Sequence, residues 1–221
     1  MTAELQPVQK FTGLSGTVLC YVMNPVTGNM VRVRALLDSG ANLSMLNRNV
    51  AKAIGLSGKK VAINLNVAGG GAVKCNETEV TFSLVKTDKS YATPPIVGIT
   101  TESVGNPFSE VRFRPRNYEH LKDLELADKF PSSKERPFQL LLSEPYFTMI
   151  ERPERRVSQD PSLPCAVNTA LGWVLRGAVG IQKQVPRAST FGVLAQEHES
   201  FDLETMYKSC LLYTSPSPRD S

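Results

Sequence analysis

The chain has 221 residues, 41% of them hydrophobic, with 25 basic and 21 acidic side chains and a net charge of +4. That apolar content supports a packed core and excludes a disordered chain, and the mild positive charge gives no ground for nucleic-acid binding. Four cysteines, Cys20, Cys75, Cys165 and Cys210, are widely spaced and form no C-x-x-C pair, and His120 and His198 are the two histidines. The sequence therefore predicts no metal site and no cofactor, and free thiols in a reducing compartment. Met1–Gly13 has no apolar core run, so no signal peptide is expected, and no stretch reaches the ~20 apolar residues of a membrane span.

In chain order, residues 1–14 read as a disordered segment. Thr17–Met23 is rich in β-branched and aromatic residues and predicts a strand. Asn24–Asn29 is a turn by its Asn, Pro and Gly content. Met30–Leu37 predicts a second strand of period two, with Val31, Val33, Ala35 and Leu37 on one face and Arg32 and Arg34 on the other. It runs directly into Asp38-Ser39-Gly40. Asn47 is the N-cap of a short helix through Ile54, stopped by Gly55. Val61–Val67 alternates as a strand, Gly69-Gly70-Gly71 breaks it, and Val73–Val85 resumes it, which makes a long hairpin with a glycine tip. Tyr91–Thr100, with Pro94-Pro95, predicts an edge strand.

Residues 102–118 read as loop, and Glu119–Phe130 as a weak helix through Leu121, Leu124 and Leu126. Phe138–Leu142 reads as a buried strand. Residues 151–164, charged and proline-rich, read as a loop in which Arg152, Arg155 and Arg156 are solvated. Ala166–Val179 is an apolar run in which Trp173 is a core residue. Many short strands between glycine and proline turns favour an all-β, barrel-like domain ending near residue 180.

The final run, Cys210-Leu-Leu-Tyr-Thr-Ser-Pro-Ser-Pro-Arg-Asp220, resembles the translation of a sequencing-library adapter. Residues 210–221 are accordingly set apart as a foreign tail, and residues 181–209 as a linker towards a missing downstream domain.

Asp38 carries the chemistry. A carboxylate placed just after an apolar strand lies at the end of a sheet. Ser39 offers a hydroxyl to hydrogen-bond beside it, and Gly40 permits a tight turn and the close approach of another backbone. An aspartic peptidase needs such a carboxylate twice. The two share one proton, because like charges that close cannot both ionise. The chain holds a single Asp-Ser-Gly and no Asp-Thr-Gly. A second copy of the chain, related by a two-fold axis, would supply the other aspartate.

The segments around this tripeptide resemble a known family. Leu36-Leu-Asp-Ser-Gly-Ala-Asn-Leu-Ser-Met-Leu46 with Val50-Ala-Lys-Ala-Ile-Gly-Leu56 resembles the peptidase domain of BEL/Pao-type LTR retrotransposon polyproteins. Three later segments agree in order: Leu124-Glu-Leu-Ala-Asp128, Leu140-Leu-Leu-Ser-Glu-Pro-Tyr-Phe147 and Asn168-Thr-Ala-Leu-Gly-Trp-Val-Leu-Arg-Gly177. The resemblance implies a retropepsin-like closed barrel over residues 15–180, all-β with one short helix after the catalytic loop and a less ordered C-terminal extension. It maps Asp38 onto the catalytic aspartate, Ser39 and Gly40 onto the active-site loop, and Gly69, Gly70 and Gly71 onto the flap that closes over substrate. It implies an aspartic endopeptidase acting as a homodimer on a polypeptide substrate, with no nucleic acid and no membrane as partner. The expected location is intracellular, in cytoplasm or virus-like particles. One departure stands out. Ser143 occupies the position of a family glycine, which predicts a strained crossing beneath the catalytic loop. Together with the glycine-only flap tip, it motivates an alternative, a non-catalytic retropepsin-like module for dimerisation or protein binding.

Overall fold

The computed structural model describes residues 11–14, 16–67, 71–104, 114–129, 137–180 and 212–214. Its strands are β1 (Phe11–Leu14), β2 (Gly16–Met23), β3 (Met30–Asp38), β4 (Ser44–Asn47), β5 (Lys59–Val67), β6 (Gly71–Lys86), β7 (Ile96–Thr101), β8 (Leu140–Ser143), β9 (Glu151–Arg156), β10 (Cys165–Thr169), β11 (Gly172–Gly180) and β12 (Leu212–Thr214). Two helices, α1 (Arg48–Ala53) and α2 (Glu144–Ile150), and one turn of 3-10 helix at Pro115–Asn117 interrupt them. The fold is all-β, as the sequence predicts.

The larger sheet runs β12-β5-β6-β2-β3-β8-β4-β7, and β6 also pairs with β7. The pairings from β6 through β2, β3, β8, β4 and β7 therefore return to β6 in a closed circuit. β3 is its centre, antiparallel to β2 and parallel to β8. The second sheet, β1-β11-β10-β9, lies against the β2 side.

The period of two in β3 is real at its start, where Arg32 is exposed, but from Val33 onward neither face is wet. Val33, Ala35 and Leu37 enter one cluster with Val18, Leu46 and Phe82. Leu36, on the other face, joins a second cluster with Met45, Ile99 and Leu141. Each such side chain contributes roughly 1.5–3 kcal/mol by leaving water. Arg34, expected on the polar face, is buried as well. Its Nε donates to Asp128 Oδ2 at 2.6 Å, Thr17 Oγ1 donates to the same oxygen at 2.8 Å, and the guanidinium lies 5.0 Å from the Phe138 ring centroid.

α1 forms where expected. The Asn47 side chain accepts from Asn49 N, and Gly55 follows the last turn at φ +69°, a backbone state that glycine adopts without penalty. Asn24 reaches across to the same end and donates from Nδ2 to the carbonyls of Ile54 and Gly55, each at 3.1 Å. The β2–β3 turn thereby caps α1.

Several expectations fail, each for a local reason. Phe11–Leu14, assigned to the disordered N-terminal segment, pairs with Leu14 opposite Gly177 in β11. β7 is not an edge strand, because β4 and β6 flank it on both sides. The Glu119–Phe130 helix is absent over its described residues. There the backbone bonds outward: Ala127 N donates to Trp173 O, and Leu19 N donates to Ala127 O. The stretch after residue 150 opens with a strand rather than a loop. β9 pairs with β10 alone, and an edge position tolerates Pro153 and its charges. α2 was not expected; Pro145 in its first turn, with Glu144 beside it, suits a helix start.

Candidate active site

Asp38 ends β3, where the parallel register sets it opposite Ser143, the last residue of β8. The chain then turns tightly. Gly40 N donates to Asp38 Oδ1 at 2.8 Å, which fixes the carboxylate's rotation. Glu144 N donates to Ala41 O at 2.9 Å, tying the loop to the start of α2. Asp38 is 9% exposed, and its Oδ2 is buried with no hydrogen-bond partner. A buried carboxylate oxygen left unmatched is costly and uncommon.

The expected strain at Ser143 is not found. Its backbone sits at φ −75°, ψ 162°, ordinary extended geometry. Its hydroxyl lies 3.0 Å from the Ser44 hydroxyl, and its N–H donates to Ser44 Oγ at 3.1 Å. Both serines are fully buried. Ser44 in turn lies opposite Gly98 of β7. A Cβ added at Gly98 would fall 2.7 Å from Ser44 O, so β4 and β7 approach this closely because residue 98 has no side chain. Asp38, Ser143, Ser44 and Gly98 thus form one row across four neighbouring strands.

Burial pushes the Asp38 carboxyl above its ordinary range; the Gly40 amide and the Arg176 guanidinium pull it down, and the Glu144 carboxylate adds to the rise. Arg176 comes from β11 and lies over the Phe147 ring at 4.5 Å from its centroid. Glu144 Oε1 accepts from Thr148 Oγ1 at 3.3 Å, while its Oε2 is buried without a hydrogen-bond partner.

Of the residues singled out in sequence, Asp38, Ser39 and Gly40 form one loop, with Ser39 exposed and Asp38 buried. Gly69 and Gly70 lie outside the described residues. Gly71 is not part of a break: it opens β6 and pairs with Val67 of β5. Sequence reading missed Ser44, Glu144 and Arg176 at this site. All three lie inside segments that resemble the family, Ser44 in Leu36–Leu46, Glu144 in Leu140–Phe147 and Arg176 in Asn168–Gly177, but nothing in those segments links Arg176 to Asp38, 138 positions away.

Residues 24–94, which include Asp38, match the family model described as Aspartyl protease. The match supports an aspartic-protease-type domain in this stretch and a protease-type function for it. Among solved structures, the chain is similar to a retropepsin-like aspartic protease from Rickettsia conorii. The identity is 16%, with 78% of this chain and 98% of that one covered, and the TM-score is 0.31. At that score the likeness carries no argument. No curated protein matches the chain.

Proposed function

We propose that the chain is an aspartic endopeptidase that processes a BEL/Pao-type retrotransposon polyprotein, working as a homodimer with one Asp38 from each subunit. The observation that carries this reading is Asp38 itself: a nine-tenths buried carboxylate, oriented through one oxygen by the Gly40 amide, with the other oxygen unmatched. In a dimer the unmatched oxygens would face a shared water. The ionised member takes a proton from that water as its oxygen attacks the peptide carbonyl carbon, and the protonated member donates to the carbonyl oxygen. The apparent pKa values belong to the pair. No step calls on a metal or cofactor.

In this reading the hairpin of β5 and β6, antiparallel over Lys59–Val67 and Gly71–Glu79, is the flap that covers a peptide substrate. Gly69–Gly71 in this reading are the flap tip. The working location is the cytoplasm or a virus-like particle, without direct nucleic-acid or membrane contact.

The alternative of a non-catalytic module rests on Ser143 and on the glycine-only flap tip. The extended backbone of Ser143 and its bonds to Ser44 remove the first motive; Gly69 and Gly70 of the second lie outside the described residues. A cleavage assay on polyprotein-derived peptides, with the chain and with Asp38→Asn at several protein concentrations, tests the proposal. Cleavage that Asp38→Asn abolishes, and that falls in specific activity on dilution, supports it. A folded dimer that cleaves none of the peptides overturns it.

A further inference from the structure

Outside the loop itself, two charged side chains on distant segments converge on Asp38. β11 lies beside β2, and Gly16 sits between Val174 of β11 and Leu37 of β3. A Cβ at Gly16 would stand 3.5 Å from Val174 Cγ2 and 3.6 Å from Leu37 Cβ. Leu37 immediately precedes Asp38. Along β11, Val174 and Arg176 share a face by the period of two. Arg176 is therefore carried past Leu37 towards the Asp38 end of β3. There its guanidinium rests on Phe147 at 4.5 Å from the ring centroid. Phe147 is itself 1% exposed, a fixed platform within α2. Glu144 opens the same helix next to Ser143, the register partner of Asp38, and its Oε2 is buried and unmatched.

We propose that Arg176 is a further positioning residue of this site: braced on Phe147, it is the counter-charge of the Asp38 carboxylate, and Glu144 is the carboxylate that competes for it. A guanidinium suits this place because it stacks on an aromatic ring while staying charged throughout the working range of a carboxylate. The groups that face Asp38 are the Gly40 amide from its own loop, Arg176 from β11 and Glu144 from α2. The amide is uncharged and fixed, so the two side chains are the adjustable part. For turnover the inference rests on the peptidase reading: in a homodimer each subunit's Arg176 faces its own Asp38, so the two arginines favour the singly ionised pair, the form that can deprotonate water.

The test is a carboxyl NMR titration of the full chain with labelled aspartate. Asp38→Asn assigns the signal, and all proteins are compared at one concentration. Arg176→Met is expected to raise the Asp38 midpoint by about one pH unit or more, and Arg176→Lys to return most of that change. Glu144→Gln is expected to lower the midpoint. A folded Arg176→Met protein with an unchanged midpoint overturns the proposal. If Arg176→Met does not fold, Glu144→Gln decides: a lower midpoint upholds the shared electrostatics, and an unchanged one overturns them. The readout does not require catalysis. A moved midpoint in a chain that cleaves nothing keeps the counter-charge and rejects the peptidase; a cleaving chain with an unmoved midpoint does the reverse.

Discussion

β3 carries two buried charged residues four positions apart, and the protein treats them in opposite ways. Arg34 is matched: Asp128 accepts from its Nε, Thr17 donates to the same carboxylate oxygen, and Phe138 covers the guanidinium. Asp38 has one oxygen matched by Gly40 and the other left with no partner. The first arrangement ties residues 114–129 to the barrel through a contact 94 positions apart in sequence. The second leaves a buried carboxylate oxygen unmatched at a steady cost. A buried charge fully answered from within the chain is structural, and one left half answered is a place for chemistry.

Substitutions at the two sites should separate these roles. Asp38→Asn keeps an oxygen for the Gly40 amide and removes the charge. It should lower peptide cleavage by about 10²–10⁴-fold or more while circular dichroism stays unchanged. Asp128→Ala should do the opposite kind of damage. It removes the carboxylate from a 7%-exposed arginine and should cost about 3–5 kcal/mol in denaturant unfolding. Equal stability loss in both variants would erase the distinction.

Ser44→Ala sharpens the contrast at a smaller scale. It strips the Ser143 N–H and hydroxyl of their partner, with an expected loss of about 1–3 kcal/mol. The smallest effect is in pH dependence. Burial raises the Asp38 pKa above its ordinary 3.8 in the folded chain. The folded state therefore holds this proton more tightly than the unfolded one. The stability it contributes is present below that ordinary value and is lost as pH rises through the raised one. Asp38→Asn should remove this loss, so its melting temperature relative to the parent should rise across that window. A constant difference would contradict the assigned direction.

The Asp38 loop was legible because its signals are local: an apolar strand, three loop residues and a capped helix within twenty positions. The β5–β6 hairpin was legible for the same reason. The partners of the loop were not. Nothing in Val-Leu-Arg176-Gly marks its arginine as a neighbour of Asp38, and nothing near Arg34 points to Asp128. Glu144-Pro145, directly after the Ser143 departure, is a helix start that attention to the family pattern passes over. β9 was hidden by its charge, because an edge strand outside the core need not alternate. The Glu119–Phe130 segment showed leucines at helical spacing, yet its backbone is used by β2 and β11 instead.

The row from Asp38 through Ser143 and Ser44 to Gly98 means that the floor of this site is four strands wide and one small side chain thick. Bulk added at Gly98 would press on the Ser44 carbonyl of β4 and on the Phe82 ring, and Ser44 is joined through Ser143 to the strand end that holds the carboxylate. A substitution separated from Asp38 by two strands should therefore be felt at its carboxyl group, and the setting of that group is adjustable from beneath as well as from its own loop.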